Sequence, residues 1–277
     1  MSQFANQIQS ALSDECWELM LEPQICGEFF SALPHCGIRI HNSEISCAFT
    51  TESPQVIIDD SCLCLPGSGL NIEFQNVNSS FLRKDSNSSG NLVLILTSND
   101  RNEQLTIEVP RSADQAIDIL TKKLIRTHET LPDTGKIKIT RPAPCLSCRK
   151  KRENVRTDIA SHPIYHILSF ACFVDQQVWI DFNRKMLSFS RAFDPSKESH
   201  PEGIISMASS EAIISMDLGE IFNSIAYLND FEGTESTIVQ CYNSYGHKLL
   251  SLIQQNTELL DFWSLISATE RHQSNIH

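Results

Sequence analysis

Nine histidines and ten cysteines hold most of the chemistry that this 277-residue chain could perform. Cys145 and Cys148 form a lone Cys-x-x-Cys, followed by Arg149, Lys150, Lys151 and Arg152. One such pair supplies two of the four ligands of a structural zinc site. Cys62 and Cys64 would have to complete the set, and nothing in the sequence brings the two pairs together. At a helix start beside basic residues, the same pair would instead keep a thiolate and do redox chemistry. The third reading is an exposed linker carrying two reduced thiols. His162 and His166 are four residues apart, so they share a face if the apolar run 159–174 is helical. Two histidines at that spacing can bind a metal or offer a ligand to haem iron. Pro163 suits the first position of a helix and makes His162 the entry residue. The plainer alternative is an N-terminal and a partly buried helix histidine. His247, His272 and His277 lie in a turn and a polar tail and read as solvated.

Other signatures are absent. The chain has no G-x-S-x-G elbow, no H-E-x-x-H, no Walker loop and no G-x-G-x-x-G. Gly67-Ser68-Gly69 is too short to cradle a phosphate and reads as a turn. The formal charge of −12 repels phosphate backbones, so nucleic acid is not expected as a partner despite the basic run at 149–152. No stretch approaches the roughly 20 apolar residues that span a bilayer. Residues 1–21 lack the basic start and apolar middle of a signal peptide. The expectation is a cytoplasmic protein whose cysteines are mostly reduced core thiols.

The elements that must position these residues follow from hydrophobic period. Residues 4–21 repeat apolar positions at helical spacing, and Pro23 stops the pattern. From Gly37 the period becomes two: Ile38 and Ile40, then Ile45, Cys47 and Phe49, across a turn at Asn42-Ser43. Residues 56–58, 63–65 and 70–74 add short strands. Residues 92–96 and 105–109 pair across a polar turn. A helix is expected over 113–126, with Ser112 as its N-cap. After the helical run 159–174, strands are expected at 178–180, 186–193, 204–207, 213–218, 221–227, 237–242 and 249–253. A polar loop is expected at 194–201 and a closing helix at 258–268.

Shifting the sequence by 144 positions lays one half on the other. Phe74 falls on Leu218, Val77 on Ile221, Leu94 on Ile238 and Leu105 on Leu249. Identity is low, but strands, loops and final helix keep their order without a gap over about 60 positions, the sign of an internal duplication. The fold class is therefore α+β, with two tandem copies of an antiparallel sheet unit flanked by helices. Residues 1–130 form the first copy and 153–277 the second. Residues 131–152, with three prolines, the Cys-x-x-Cys and the basic run, form the linker.

Cys36-Gly37-Ile38-Arg39-Ile40-His41-Asn42 resembles the C-I-Q-I-H-T-G strand of the HemS/ChuX/HutX group of haem-utilisation proteins. Phe231-Glu232-Gly233-Thr234-Glu235-Ser236, followed by Ile238-Val239-Gln240-Cys241-Tyr242-Asn243 and Gly246, resembles that group's F-M-G-R-E-S…V-Q-F-F-N…G segment. The resemblance covers about half the chain and extends to the tandem arrangement of the longer members. It implies a cytoplasmic haem-binding, haem-trafficking or haem-degrading protein with a histidine on iron and cations on the propionates. The histidines before the second sheet are His166, the first choice as ligand, and His162. Arg184 and Arg191 are the candidate propionate partners. An arginine in an apolar strand needs a partner, unless Arg191 simply reaches solvent from an edge strand. The alternative is an adaptor on the same fold that has lost haem ligation and binds a protein through a sheet edge or face. A zinc or redox protein built on Cys145 and Cys148 is the third possibility.

Overall fold

The computed structural model describes residues 16–41, 44–84, 91–98, 103–128, 145–194, 197–200, 203–209, 211–255 and 258–274. The chain divides into two compact units, Met1–Arg141 with Arg184–Ser188, and Pro142–Asn183 with Phe189–His277.

In the first unit, β1 (Cys16–Leu19) is followed by α1 (Pro23–Ser31), β2 (His35–His41), β3 (Ile45–Glu52), β4 (Ile57–Asp59), β5 (Cys62–Leu65) and β6 (Leu70–Glu73). Then come β7 (Val77–Lys84), β8 (Leu92–Ser98), β9 (Gln104–Val109), α2 (Asp114–Thr121) and β10 (Leu124–His128). The strands run in the order β10-β1-β7-β8-β9-β2-β3, with β6-β5-β4 as a separate antiparallel run. Alternation sets the register. Ile38 lies opposite Phe49, and Ile40 opposite Cys47, so one face of the hairpin buries all four. Strand β8, paired with β7 and β9, is buried at every position, so both of its faces are covered, which its unbroken run of Leu, Val and Ile suits. Pro23 opens α1, which buries Cys26, Gly27, Phe29 and Phe30. A Cβ at Gly27 would collide with the Ile58 side chain, so glycine lets the helix approach β4.

The segment Arg184–Ser188 is held in this unit by polar contacts. Glu103 Oε2 accepts the Met186 N–H at 2.9 Å, and Asn76 Nδ2 donates to the Lys185 carbonyl at 2.8 Å. The Glu73 N–H donates to the Met186 carbonyl at 2.8 Å, and Asn71 Nδ2 donates to Ser188 Oγ at 3.1 Å.

The second unit contains α3 (Leu146–Thr157), α4 (Pro163–Phe173), β11 (Val178–Asn183), β12 (Leu187–Phe193), β13 (Lys197–His200), β14 (Ile204–Ala208) and β15 (Ala212–Asp217). It closes with β16 (Asn223–Phe231), β17 (Thr234–Tyr242), β18 (Lys248–Gln254) and α5 (Glu258–Ser274). Its strands run β16-β17-β18-β11-β12, with β15-β14-β13 beside one another. Glu232 and Gly233, both at positive φ, turn β16 into β17, and Asp230 Oδ1 caps the turn through the Gly233 N–H. Asn243 Oδ1 takes the N–H groups of Tyr245 and His247, at 3.0 Å each, and shapes the next turn.

The fold is α+β, built from two tandem copies. Adding 144 to β7-β8-β9-β2-β3 reaches β16-β17-β18-β11-β12, and adding it to β6-β5 reaches β15-β14. The 3-10 turn Phe74–Asn76 falls on the 3-10 turn Leu218–Glu220, and α2 falls on the start of α5.

Four expectations are corrected. Most of the helix expected over 4–21 lies outside the described residues, and its end, Cys16–Leu19, is a strand paired on both sides, with β7 and β10. The helix expected over 113–126 ends at Thr121, its N-cap is Ala113 rather than Ser112, and the chain turns at Lys122-Lys123 into β10. Inside the expected loop 194–201, Lys197–His200 pairs with β14. Of the expected linker, residues 131–144 lie outside the described residues, whereas 146–152 open α3. The Asn42-Ser43 turn also lies outside them.

Glu103 is 6% exposed, and its carboxylate satisfies a buried backbone donor. Glu103→Ala leaves the Met186 N–H unpaired and should cost about 1–3 kcal/mol, read from the shift of a urea unfolding midpoint. An unchanged midpoint would mean that this contact does not hold the segment.

Candidate functional site

Pro163 fills the first position of α4, so His162 is the N-cap, with extended backbone at φ −97° and ψ 129°. Its side chain therefore turns away from the helical path. His162 is 1% exposed, and both ring nitrogens are committed. Nδ1 accepts the Ile164 N–H at 3.2 Å, and Nε2 donates to the Ile221 carbonyl at 2.9 Å. Burial drives its pKa down to about 4, so the ring stays neutral at pH 7. Neither nitrogen has a lone pair left for a metal unless one of these bonds breaks.

His166 lies one turn on and is exposed. Helix α4 buries Pro163, Ile164, Ile167, Leu168 and Ala171. That leaves His166, Phe170 and Phe173 together on the outer face, at spacings of four and three. Phe173 is 86% exposed. Phe170 stacks on Phe262 of α5, with ring centroids 4.4 Å apart and planes 12° from parallel. The shared face expected for His162 and His166 is thus split: the capping position takes one ring inward, and the helix presents the other to solvent.

Both candidate arginines are paired with carboxylates. Arg191 Nη2 lies 2.7 Å from Glu211, itself 61% exposed. Arg184 groups with the first unit and lies 3.6 Å from the buried Glu44. Arg191 does not reach solvent as an edge arginine would, since its side chain is only 17% exposed.

Cys145 is the exposed N-cap of α3, and its Sγ accepts the Cys148 N–H at 3.4 Å. Among the described residues, no group of three or more His, Cys, Asp or Glu could hold a metal ion, so zinc at Cys145 and Cys148 lacks further ligands there. Cys62 and Cys64 lie 3.6 Å apart, sulfur to sulfur, as neighbours on one strand face. The basic run that follows Cys148 is partly used in packing. Arg152 pairs with Glu220 at 2.7 Å, and Lys151 Nζ donates to the Phe222 carbonyl at 2.8 Å. No described helix is long and apolar enough to cross a membrane.

The first unit has a groove of about 710 Å³ between α1 and α2, with Gln24, Glu28, Gln115, Asp118 and Lys122 on its walls. A second cavity of about 640 Å³ shares Ser31, Ala32, Val56 and Gln115 with it. Neither contains a histidine.

No protein-family model matches the chain, and no curated protein matches it by sequence. Solved structures do match. The haem-degrading enzyme ChuS of Escherichia coli O157:H7 superposes with a TM-score of 0.64 at 10% identity, over 92% of this chain and 85% of that one. ChuS described as an E. coli haem oxygenase gives 0.62 at 10% identity, over 92% and 87%. Holo-PhuS, a haem-binding protein of Pseudomonas aeruginosa, gives 0.62 at 9% identity, over 91% and 85%. The chain has their fold. A likeness at this identity establishes the ChuS-like architecture, and the family resemblance read from two short motifs is consistent with it. Cys36–His41 falls on β2, while Phe231–Asn243 falls on the β16–β17 turn and β17.

Sequence reasoning missed Phe170 and Phe173. Their spacing from His166 was the signal that would have found them. It also missed Glu44 and Glu211, which no local pattern links to their arginines.

His162 gives a pH signature. The unfolded imidazole protonates below its ordinary 6.5 and the folded one only below about 4. Between these values the unfolded chain binds the extra proton, so stability present above pH 6.5 is lost as pH falls towards 4. At about 1.4 kcal/mol per pH unit, the full loss is roughly 3 kcal/mol. His162→Asn keeps an N-cap acceptor and removes the titration. Urea unfolding across pH 4–7 should show the gap between wild type and variant narrowing as pH falls, and a constant gap would exclude the buried neutral ring.

Proposed function

We propose that the protein is a cytoplasmic haem-binding and haem-utilisation protein in which His166, on the second copy (residues 153–277), ligates the iron. The observation that carries this reading is an exposed histidine flanked by Phe170 and Phe173 on one helix face, within a fold shared with ChuS and PhuS. The residues suit the group on two counts. An unburied imidazole can offer a neutral nitrogen to iron, and the aromatic face can cover porphyrin. Phe173, 86% exposed beside that histidine, leaves apolar surface that a bound ring could cover. For the propionates, Arg191 is the better partner, because its present partner Glu211 is well exposed and exchangeable. Arg184 is held by a buried carboxylate. Bound haem would supply one-electron and oxygen chemistry.

A second reading is an adaptor on the same fold. Its support is the pairing of both candidate arginines with carboxylates, together with the histidine-free groove between α1 and α2.

Haemin titration of the purified chain separates the two. The haem reading expects a saturable, red-shifted Soret band, with at least about tenfold weaker binding in His166→Ala, equivalent to about 1.4 kcal/mol. His162→Asn should keep the band. A band indifferent to His166, or no saturable band, sinks the ligand assignment and favours the adaptor.

A further inference from the structure

We propose that Cys145 and Cys148 form a thiol–disulfide exchange site whose co-reactant is a low-molecular-weight disulfide. The inference does not rest on haem binding. Cys145 caps α3 from outside the helix, exposed, while Cys148 sits on its first turn. The Cys148 backbone N–H points at the Cys145 sulfur at 3.4 Å, which brings the two side chains to the same turn of chain. A thiolate at that position meets the positive end of the helix and the Arg149 guanidinium, the setting in which Cys-x-x-Cys pairs become reactive.

The pair divides its labour. The backbone N–H of Cys148 is the main cause that pulls the Cys145 thiol below its ordinary range. The neighbouring Cys145 side chain is the main cause that pushes Cys148 up. Cys145 is therefore the attacking sulfur and Cys148 the resolving one. No other thiol pair in the described residues has this setting. Cys16, Cys26, Cys36, Cys47 and Cys241 are buried. Cys62 and Cys64 sit two apart on a strand, with Cα atoms about 6.7 Å apart, at the outer limit for a disulfide, and burial pushes Cys62 up to about 12.

The steps balance. The Cys145 thiolate attacks one sulfur of the small disulfide, forms a mixed disulfide and expels one thiolate. The Cys148 thiol gives up its proton to solvent and attacks the Cys145 sulfur, closing the Cys145–Cys148 bond and expelling the second thiolate. Protein dithiol is oxidised by two electrons, and the small disulfide is reduced to two thiols. Lys151 and Arg152 tie the following turn to Phe222 and Glu220, so the bond closes within one turn of a helix that is already anchored.

The test uses the full chain and oxidised glutathione. The protein is equilibrated in buffers of varied oxidised-to-reduced glutathione ratio, acid-quenched, alkylated and mapped by peptide mass spectrometry. Wild type should show the Cys145–Cys148 disulfide. Cys148→Ser should hold one glutathione on Cys145, and Cys145→Ser should carry none on Cys148 under the same conditions. Serine is itself a good N-cap, and circular dichroism confirms that the fold is kept. The proposal is overturned if wild type stays reduced at every ratio, or if Cys148 alone takes up glutathione as readily as Cys145 alone.

Discussion

A buried imidazole has two nitrogens to satisfy, and His162 satisfies both with backbone. One bond closes the first turn of α4, and the other reaches the corner at Ile221 that leads into β16. Because the ring is 1% exposed, losing either bond would strand a polar group in the core. The two bonds together set the rotation of α4 about its axis. With that rotation set, Ile164, Ile167, Leu168 and Ala171 go inward, and His166, Phe170 and Phe173 have to face outward. The same corner receives α3, through Lys151 on the Phe222 carbonyl and Arg152 on Glu220, with the Arg152 guanidinium over the Phe222 ring. Both the histidine face and the dithiol are thus presented by helices pinned to one turn of chain.

Duplication explains the plan and divergence explains the sites. The five-strand core recurs at one offset in both copies, so the sheet tolerated nearly complete replacement of its side chains. The helices did not drift together. Adding 144 to Cys26 and Asp118 gives Phe170 and Phe262, the stacked pair. In the second copy the helix contact is aromatic, and in the first it is a polar-walled groove containing Asp118 and Lys122. One scaffold thereby carries two chemically distinct helix pairs.

Period and order were readable where burial is one-sided. The β2–β3 hairpin and the β8–β9 pair follow from alternation and runs of Ile, Leu and Val, because one face or both must be apolar. Strand β13, Lys-Glu-Ser-His, has no such pattern, since its place comes from backbone pairing with β14. Strands β1 and β10 flank the copy-specific edge of the first unit, and their residues fit helical spacing as well as a strand's. Only long-range pairing decides between the two. At the site, Pro163 made His162 legible as the entry residue, but the consequence, a ring turned inward, depends on Ile221, which is 59 residues away. The partners of Arg184 and Arg191 are distant in the same sense.

The basic run at 149–152 shows why charge alone is a weak guide. In the sequence it interrupts an acidic chain and suggests an anionic partner. In the fold, Lys151 and Arg152 reach a carbonyl and a carboxylate of the neighbouring corner. Arg149 lies close enough to Cys145 to favour its thiolate. The run thus serves at least two ends, anchoring α3 and polarising the sulfur at its start. The cluster is better explained by what it holds in place than by a partner it attracts. On the outward face of α4, by contrast, Phe170 is used in the stack on Phe262, and it is Phe173, beside His166, that leaves apolar surface in water.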